Sequence, residues 1–338
     1  MIIDRFDTSR RVFVIAEAGI NHEGDVGQAR EMVAAAADAG ADAIKFQTYK
    51  TERLLMARET ARIEQRRKFE LPAEAFRALA AHAHERGILF LSTAFDGDSL
   101  RLIDELAPAF KISSPDFNNL ALIRQALAAG KPLIMSTGMS DDARVEATLT
   151  FVRDRAGPEF LRRSVTLLHC VSLYPAPFAD VNLHAIPYLA ERFGVDVGYS
   201  DHALGINMCL AAVALGARIV EKHFTLDKSM TGVRDHKLSA DPGELGRLVE
   251  GIRQIEAALG TRSKRIAPAE AENLRSMRRG IVAAADLPAG AVLTEADLDV
   301  LLPCDGMSAD RYFWALGKRV RRPVAAGEAI RVEDLQEA

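Results

Sequence analysis

The sequence has few of the features that direct a chain to secretion, to membranes or to nucleic acids. Its three cysteines, Cys170, Cys209 and Cys304, show no CxxC spacing, which argues against a disulfide framework and against a cysteine metal site. No apolar run is long enough to span a bilayer, and the N-terminus lacks the basic start and long apolar core of a signal peptide. With a formal net charge of −4, the composition does not suggest a nucleic-acid or membrane partner. We therefore expect a cytoplasmic protein with neither nucleic-acid nor membrane partners.

What the chain does contain is an alternation of short apolar runs and amphipathic helical stretches, followed by a different C-terminal segment. The predicted strands are 12–18, 43–48, 89–94, 110–114, 133–137, 165–171, 195–200 and 218–224. The predicted helices include 27–39, 73–86, 120–129, 143–155, 205–215 and 242–259. Several helices end in the glycine expected at a C-cap, namely Gly40, Gly87, Gly130 and Gly216. Eight such units predict a (β/α)8 TIM barrel. A doubly wound open sheet is the alternative, disfavoured because no GxGxxG motif opens the first helix.

Two triplets near the end of the barrel segment carry the first chemical signal. Ser200-Asp201-His202 and Glu221-Lys222-His223 each close an apolar run, and alternate side chains of a strand share a face. Two imidazoles on the ends of neighbouring parallel strands are well placed to hold one divalent metal. They supply too few ligands to close the site, as a catalytic metal requires. The alternative is a pair of ordinary core or surface histidines.

The other strand ends are polar as well, at the face where barrels of this class build active sites. Lys45 and Lys111 lie within predicted inward-facing strands, where an unpaired ammonium costs several kcal/mol to desolvate. One interpretation is a pair of internal ion pairs with Glu17 or Glu221. The other is a cradle for phosphate and carboxylate groups. The hydroxyl-bearing residues expected around such a cradle are Thr93, Ser114, Ser136 and Ser200.

The chain changes in character after the barrel segment. We predict a barrel domain over 1–262, a polar and basic linker over 263–275, and a small domain over 276–338. The small domain contains an internal repeat, 286–298 and 323–335, in which each copy predicts a glycine turn, a short strand and a capped helical start. The caps are expected at Thr294 and at the acidic pair Glu333-Asp334. Because so short a segment is marginal for independent folding, we expect it to pack against a barrel; a structural appendage is the alternative.

Taken together, these motifs resemble the sialic acid synthase family. The strings EAGINHEG, KFQT, STAF, STGM, SDH and EKHFT occur in this order, followed by a Pro-Ala-Gly module that resembles the antifreeze-like (SAF) domain. The resemblance implies a phosphoenolpyruvate-dependent transferase that makes nine-carbon 3-deoxy-2-ulosonic acids, as N-acetylneuraminate, legionaminate and pseudaminate synthases and the spore-coat relatives do. It also implies a domain-swapped homodimer, in which each SAF domain covers the barrel of its partner.

The resemblance further assigns roles to individual residues. His202 and His223 correspond to the ligands of a divalent metal, Mn2+ or Mg2+. The residues implied to bind phosphoenolpyruvate are Lys45, Thr93, Lys111, Ser114, Ser136 and Ser200. Those implied to bind an N-acylated hexose are Glu17, Asn21, Gln47, Asp116, Tyr174 and Asp235. The implied catalytic residues are Glu17, Lys45, Tyr174 and Asp235.

Departures from the family pattern concern the sugar side. Asp116 follows a proline where the family commonly has Gly-Glu, Ser172 replaces an asparagine, and 230–234 replaces a Pro-Gly-Pro stretch. Leu302 stands where the family places an arginine that reaches the N-acyl group of the substrate, and Arg311 is a possible substitute or simply caps a surface helix. Because leucine has no hydrogen-bond donor, we expect a sugar other than N-acetylmannosamine, such as a 2,4-diacetamido-6-deoxyhexose.

Two alternatives to this function stay open at the level of sequence. One is a metal-dependent aldolase that uses pyruvate, which phosphate release would distinguish from a phosphoenolpyruvate enzyme. The other is a catalytically idle barrel in polysaccharide assembly, against which Lys45, Lys111, His202 and His223 argue.

Overall fold

A computed structural model describes residues 1–338, apart from the side chain of Arg275. The chain forms two compact units, Met1–Gly260 and Thr261–Ala338, each with its own hydrophobic core. The predicted linker falls within the second unit and includes a short helix, Ala271–Ser276. Among the described residues, no helix combines the length and the apolar character needed to cross a membrane.

The first unit is a closed barrel of eight parallel strands, which confirms the predicted fold class. Its strands are β1 (Phe13–Gly19), β2 (Ala43–Thr48), β3 (Leu89–Ala94), β4 (Phe110–Ile112), β5 (Leu133–Ser136), β6 (Val165–His169), β7 (Asp196–Asp201) and β8 (Ile219–His223). Each strand pairs with the next, and β8 pairs with β1 to close the barrel. A short antiparallel hairpin, Ile2–Ile3 with Phe6–Asp7, precedes β1.

Helices cover the outside of this barrel, one in each interval. They are α1 (Val26–Asp38), α2 (Ala73–Glu85), α3 (Gly97–Leu106), α4 (Leu120–Ala128), α5 (Asp142–Ala156), α6 (Ala185–Phe193), α7 (Asn207–Ala214) and α8 (Pro242–Ala258). Additional short helices are Thr51–Leu54, Thr60–Phe69 and Pro158–Ser164. The four predicted C-cap glycines have positive φ, as the left-handed turn at the end of a helix requires. The helices named from the sequence do not include α3 and α6, which complete the eight predicted βα units.

The second unit consists of two small antiparallel sheets around a compact apolar core. One sheet pairs Gly280–Ala283 with Leu298–Leu301, and the other pairs Arg319–Val320 with Leu335–Gln336. The core residues include Ile281, Leu293, Met307, Val324 and Ile330. The two sheets are connected by a 3-10 turn, Ala309–Arg311, and a four-residue helix, Tyr312–Ala315.

The internal repeat is present, but its elements follow a different order from the predicted one. In both copies a 3-10 turn comes before the strand: Glu295–Asp297 leads into Leu298–Leu301, and Val332–Asp334 leads into Leu335–Gln336. The Thr294 hydroxyl donates to the Asp297 carboxylate at 2.6 Å, which caps the first turn. The segments predicted as strands make only isolated bridges, because the glycine turns leave too few residues for a ladder.

Candidate active site

A polar cavity of about 310 Å³ lies at the carboxyl ends of the barrel strands. The lining includes these residues that the sequence predicts to bind substrate or metal or to take part in catalysis: Glu17, Lys45, Gln47, Thr93, Lys111, Ser114, Ser136, Tyr174, Ser200, His202, His223 and Asp235. The lining also includes residues that are not predicted to bind substrate or metal: Arg66, Phe95, Ser113, Pro115, Met139, Ser172, Glu221 and Arg234. The fold therefore gathers side chains from all eight strand ends into one space.

Two buried lysines and two buried carboxylates form the floor of the cavity. Lys45 Nζ lies 2.7 Å from a Glu17 oxygen and 3.5 Å from a Glu221 oxygen, and it donates to Thr93 Oγ1 at 3.0 Å. Lys111 Nζ lies 3.5 Å from the other Glu221 oxygen. The internal ion pairs are therefore present, and both ammonium groups also line the cavity, so the cradle for phosphate and carboxylate groups stays a prediction.

The pKa values of the two carboxyl groups are shifted in opposite directions. Burial raises the pKa of Glu17 to about 7, although Lys45 opposes the shift. Burial alone would also raise the pKa of Glu221, but the charges of Lys111 and Lys45 lower it to about 2. Ser200 Oγ donates to Glu221 at 2.9 Å and further stabilises its charge. Glu17 is therefore able to hold or release a proton near neutral pH, whereas Glu221 stays ionised.

Hydroxyl groups and a close backbone turn form one wall. The Ser136 hydroxyl is buried and has no hydrogen-bond partner among the described residues. Ser114 Oγ accepts from the Gly138 amide at 3.1 Å. A side chain at Gly138 would place its Cβ 2.2 Å from the Ser172 hydroxyl and 2.8 Å from that of Ser114, so it would displace both hydroxyls. The Ser136 hydroxyl therefore provides free hydrogen-bonding capacity in this wall.

The imidazoles of His202 and His223 lie together, with ring centroids 5.3 Å apart. His202 Nδ1 is 2.7 Å from the Val171 carbonyl oxygen, and because a carbonyl can only accept, Nδ1 carries the proton and Nε2 keeps its lone pair. His223 Nδ1 is buried without a hydrogen-bond partner in the described chain. Burial lowers the pKa of both rings, which favours the neutral form that binds metal.

The structure offers these two rings and little else as metal ligands. In the part of the chain that the structure describes, no group of three or more His, Cys, Asp or Glu side chains is arranged to hold an ion. A metal bound here would keep positions open for water or substrate. The unpartnered nitrogen of His223 and the free Nε2 of His202 fit such a partial ligand set.

Aromatic and charged side chains form the mouth of the cavity. The centroid of the Tyr174 ring lies 4.2 Å from that of His202, and the Arg234 guanidinium carbon lies 5.1 Å from the Tyr174 centroid. Arg234 Nε is 3.5 Å from an Asp235 oxygen. Arg66 also reaches the lining, from the short helix Thr60–Phe69. This mouth presents hydrogen-bond donors to any ligand that extends out of the barrel.

Two predicted sugar ligands lie outside the cavity lining. Asn21 Nδ2 donates to the Phe224 carbonyl oxygen at 2.8 Å and to Ser239 Oγ at 3.0 Å, so it ties two loops together instead. Asp116 accepts from Ser113 Oγ at 2.8 Å, which stabilises the turn after β4. Both side chains are engaged in hydrogen bonds within the protein, and their assignment as sugar ligands stays a prediction.

The sequence does not indicate two of the charged lining residues, Arg66 and Arg234. Glu221 is expected from the sequence only as an ion-pair partner of the lysines, although strand alternation also places it on the same face as His223. Arg66 and Arg234 have no such signal, because they lie outside the barrel strands, on a connecting helix and a 3-10 turn whose positions depend on tertiary packing. Residues of both segments, Phe69 and Val233, belong to one small apolar cluster. That cluster holds the two arginine-bearing segments side by side.

A closed parallel barrel with a polar cavity at its strand ends places the chain among the (β/α)8-barrel proteins, and comparisons with known proteins narrow the class. The profile of the NeuB family matches residues 32–264, and that of the SAF domain matches residues 278–336. The chain belongs to the NeuB family, which confirms the resemblance seen in its motifs.

Named relatives extend over nearly the whole chain. The N,N'-diacetyllegionaminic acid synthase of Campylobacter jejuni is 40% identical over 336 residues, which cover 95% of this chain and 99% of the relative. The human N-acetylneuraminate-9-phosphate synthase is 34% identical over 336 residues, covering 95% and 92%. The crystal structure of the N-acetylneuraminic acid synthetase from Leptospira borgpetersenii in complex with citrate has a TM-score of 0.75 at 34% identity, covering 81% of this chain and 94% of that one. All three relatives are synthases of sialic-type acids by name.

Proposed function

We propose that the protein condenses phosphoenolpyruvate with an N-acylated hexose to give a nine-carbon 3-deoxy-2-ulosonic acid and phosphate. The observation that carries the proposal is one cavity in which two buried lysines and free hydroxyls lie beside two neutral imidazoles and a carboxyl of near-neutral pKa. The names of the relatives support a sialic-type product. The protein would accordingly be a transferase.

Phosphoenolpyruvate would bind over the floor and the hydroxyl wall. Lys45 and Lys111 provide the charge that a phosphate and a carboxylate need, and charge-assisted hydrogen bonds of this kind are stronger than neutral ones. Ser136 supplies a hydroxyl without a competing partner. The remaining residues of this proposed subsite are Thr93, Ser114 and Ser200.

His202 and His223 would hold a divalent metal, Mn2+ or Mg2+. When bound, the ion would supply Lewis-acid polarisation of the aldehyde oxygen of the sugar. Because burial keeps both rings neutral, no proton has to leave before the metal binds.

The protein's own residues would position the reactants and move two protons. Carbon 3 of phosphoenolpyruvate forms the new bond to the aldehyde carbon, water adds to carbon 2, and phosphate leaves as its bond to carbon 2 breaks. One proton of the water is removed and one proton goes to the aldehyde oxygen, while the second proton of the water leaves with the phosphate as the carbonyl group at carbon 2 forms. Glu17, with its pKa near 7, is suited to one of these transfers, and Asp235 at the mouth to the other. Lys45 and Lys111 would offset the negative charge of the departing phosphate.

The sugar would occupy the mouth, between Glu17, Gln47, Tyr174 and Asp235. Arg66 and Arg234 add donors suited to amide carbonyl oxygens. Leu302 is half exposed in the second unit, and Arg311 stacks on Trp314 with 5.8 Å between the guanidinium carbon and the ring centroid. We therefore keep the expectation that a 2,4-diacetamido-6-deoxyhexose is preferred over N-acetylmannosamine. If N-acetylmannosamine has the highest kcat/KM of a panel and Leu302→Arg changes nothing, this preference is wrong.

The decisive experiment measures phosphate release with a panel of 2-acetamido- and 2,4-diacetamidohexoses. We expect phosphate release and a product whose mass equals sugar plus pyruvate, only when phosphoenolpyruvate and a suitable sugar are both present. Product formation from pyruvate without phosphate would instead indicate an aldolase. Absence of turnover with every sugar, despite binding of phosphoenolpyruvate, would favour the idle barrel.

The metal proposal predicts that His202→Ala loses both the metal and nearly all turnover, because a single imidazole remains. Metal content after dialysis and phosphate release would be measured together. His184→Ala is the matched control, since His184 is exposed and lies outside the cavity lining. Full activity after exhaustive chelation would refute a role for the metal.

We also propose a homodimer in which residues 276–338 of each chain cover the partner's cavity. Within the second unit, large apolar side chains are exposed, with Phe313 80%, Leu302 49% and Trp314 44% accessible. Exposed apolar surface of this kind is characteristic of an interaction site.

A further inference from the structure

Asp201 and Lys222 form an ion pair that the proposed chemistry does not use. They are the middle residues of the triplets that carry His202 and His223, so strand alternation turns them to the outside of the barrel. Lys222 Nζ lies 2.8 Å from Asp201 Oδ2, and both side chains are 0% exposed. In the register of β7 and β8 the two residues stand directly opposite each other.

The pair holds the peptide groups that follow β7. Asp201 Oδ1 accepts from the Ala203 amide at 2.8 Å, and Lys222 Nζ donates to the Ala203 carbonyl oxygen at 2.6 Å. The carboxylate also accepts from the Tyr199 hydroxyl at 2.9 Å and from the Cys209 thiol at 3.4 Å. Both sides of the Ala203 residue are thus fixed by one ion pair.

These contacts bear directly on the two imidazoles. His202 lies between Asp201 and Ala203, so its Cα sits within the turn that the ion pair holds. The inner side of the same turn is fixed by the Ala176 amide, which donates to the His202 carbonyl oxygen at 2.9 Å. His223 directly follows Lys222 on β8. A shift of the ion pair would therefore move both rings relative to each other.

Stability alone does not account for such a pair. Two charges removed from water rarely gain more from their attraction than they lose in hydration, and apolar side chains of similar volume are often equally stable or more so. We propose that Asp201 and Lys222 are positioning residues that hold His202 and His223 at the separation a divalent metal requires. This inference rests on the proposed metal site.

The test replaces the ion pair with apolar side chains of similar size, as Asp201→Leu with Lys222→Met. The control double variant, Asp42→Leu with Arg253→Met, removes an ion pair of 3.0 Å next to the start of β2, at the opposite end of the barrel. Mn2+ would be titrated into each metal-free protein and free Mn2+ read from its electron paramagnetic resonance signal. We expect Mn2+ binding to weaken about tenfold or more in the first variant and to be unchanged in the control.

The outcomes distinguish failure of the positioning role of Asp201 and Lys222 from failure of the proposed metal site. If the unmodified protein binds no Mn2+, the metal site and the positioning role both fail. If it binds Mn2+ and the folded Asp201→Leu/Lys222→Met variant binds equally well, only the positioning role is overturned. Should that variant fail to fold, Asp201→Asn takes its place, because asparagine keeps the shape and weakens the ion pair. Unchanged Mn2+ affinity in Asp201→Asn would equally overturn the inference.

Discussion

Lys111 is the more weakly paired of the two lysines on the cavity floor. Its nearest carboxylate oxygen is 3.5 Å away, whereas Lys45 has one at 2.7 Å, so more of the charge of Lys111 is available to a ligand. A charge-assisted hydrogen bond contributes about 1.5–3 kcal/mol. We predict that Lys111→Ala weakens phosphoenolpyruvate binding by at least about tenfold, measured by isothermal titration.

Lys131→Ala is the matched control for this prediction. Lys131 binds the Ala107 carbonyl oxygen at 3.0 Å and lies outside the cavity lining, so its removal should leave phosphoenolpyruvate binding unchanged. Equal affinities of Lys111→Ala and the unmodified protein would show that Lys111 serves only its internal ion pair.

His22 predicts a specific dependence of stability on pH. Burial lowers the pKa of His22 to about 4, and its Nδ1 accepts from the Gly24 amide at 3.0 Å, as a neutral ring can. In the unfolded chain the pKa is about 6.5. Between these values the unfolded state binds more protons, so the stabilisation is fully present above pH 6.5 and is lost as the pH falls towards 4. The full loss is about 3 kcal/mol.

The measurement is the free energy of unfolding in urea at pH 7 and pH 5, for the unmodified protein and for His22→Gln. Other buried histidines also destabilise the fold at low pH, so the difference between the two proteins is the quantity of interest. We expect the loss between these pH values to be about 2 kcal/mol smaller in His22→Gln. An identical pH dependence would contradict the assigned shift.

At the residue scale, the sequence predicts well the direction of side chains that lie on or directly after regular strands. Lys45, Lys111, His202 and His223 reach the cavity because the period of two in a strand fixes the face of each side chain. Asn21 shows the limit of this rule, because it follows β1 in a turn, where no period applies, and its side chain donates to the Phe224 carbonyl oxygen, which is distant in sequence. The position of Arg66, on the helix Thr60–Phe69 that connects two barrel elements, depends on tertiary packing, which one sequence does not reveal.

At the scale of elements, α8 contains three glycines, and the surroundings of two of them, Gly246 and Gly251, differ. Around Gly246 there is open space, and neither glycine has a positive φ, whereas a Cβ at Gly251 would lie 2.8 Å from a methyl group of Leu210. Replacing an interior helix glycine by alanine stabilises by about 0.5–1 kcal/mol when nothing clashes. We predict that Gly246→Ala raises the melting temperature and that Gly251→Ala raises it less or lowers it. Equal gains would contradict the packing of α7 against α8.

The strands of the barrel can be predicted from the sequence, whereas those of the second unit cannot. Barrel strands are buried on both faces and flanked by helix caps, so each leaves an apolar run with clear limits. In the second unit, β-structure is two to four residues long and 3-10 turns adjoin it, so the apolar residues show no period. The repeat of 286–298 and 323–335 is visible in sequence because the glycine turns recur, while the place of the strand within it is not.

At the scale of the whole molecule, the decisive question is whether one chain's SAF domain completes another chain's site. The proposal predicts a dimer by sedimentation at micromolar concentration, since so small a domain with exposed Phe313 is best stabilised against a partner surface. A monomer under assay conditions that is fully active would contradict it.

Complementation distinguishes a cap supplied by the partner from a cap supplied by the same chain. One chain carries His202→Ala and an intact C-terminal domain; the other keeps an intact barrel but ends at residue 275. Each alone should be nearly inactive, because the first lacks a metal ligand and the second lacks the cap. Co-expressed, they should regain a fraction of the activity, since the intact barrel then receives the cap of the His202→Ala chain. If co-expression restores nothing although mixed dimers form, each chain caps its own cavity, and if the truncated chain is fully active by itself, no cap is required.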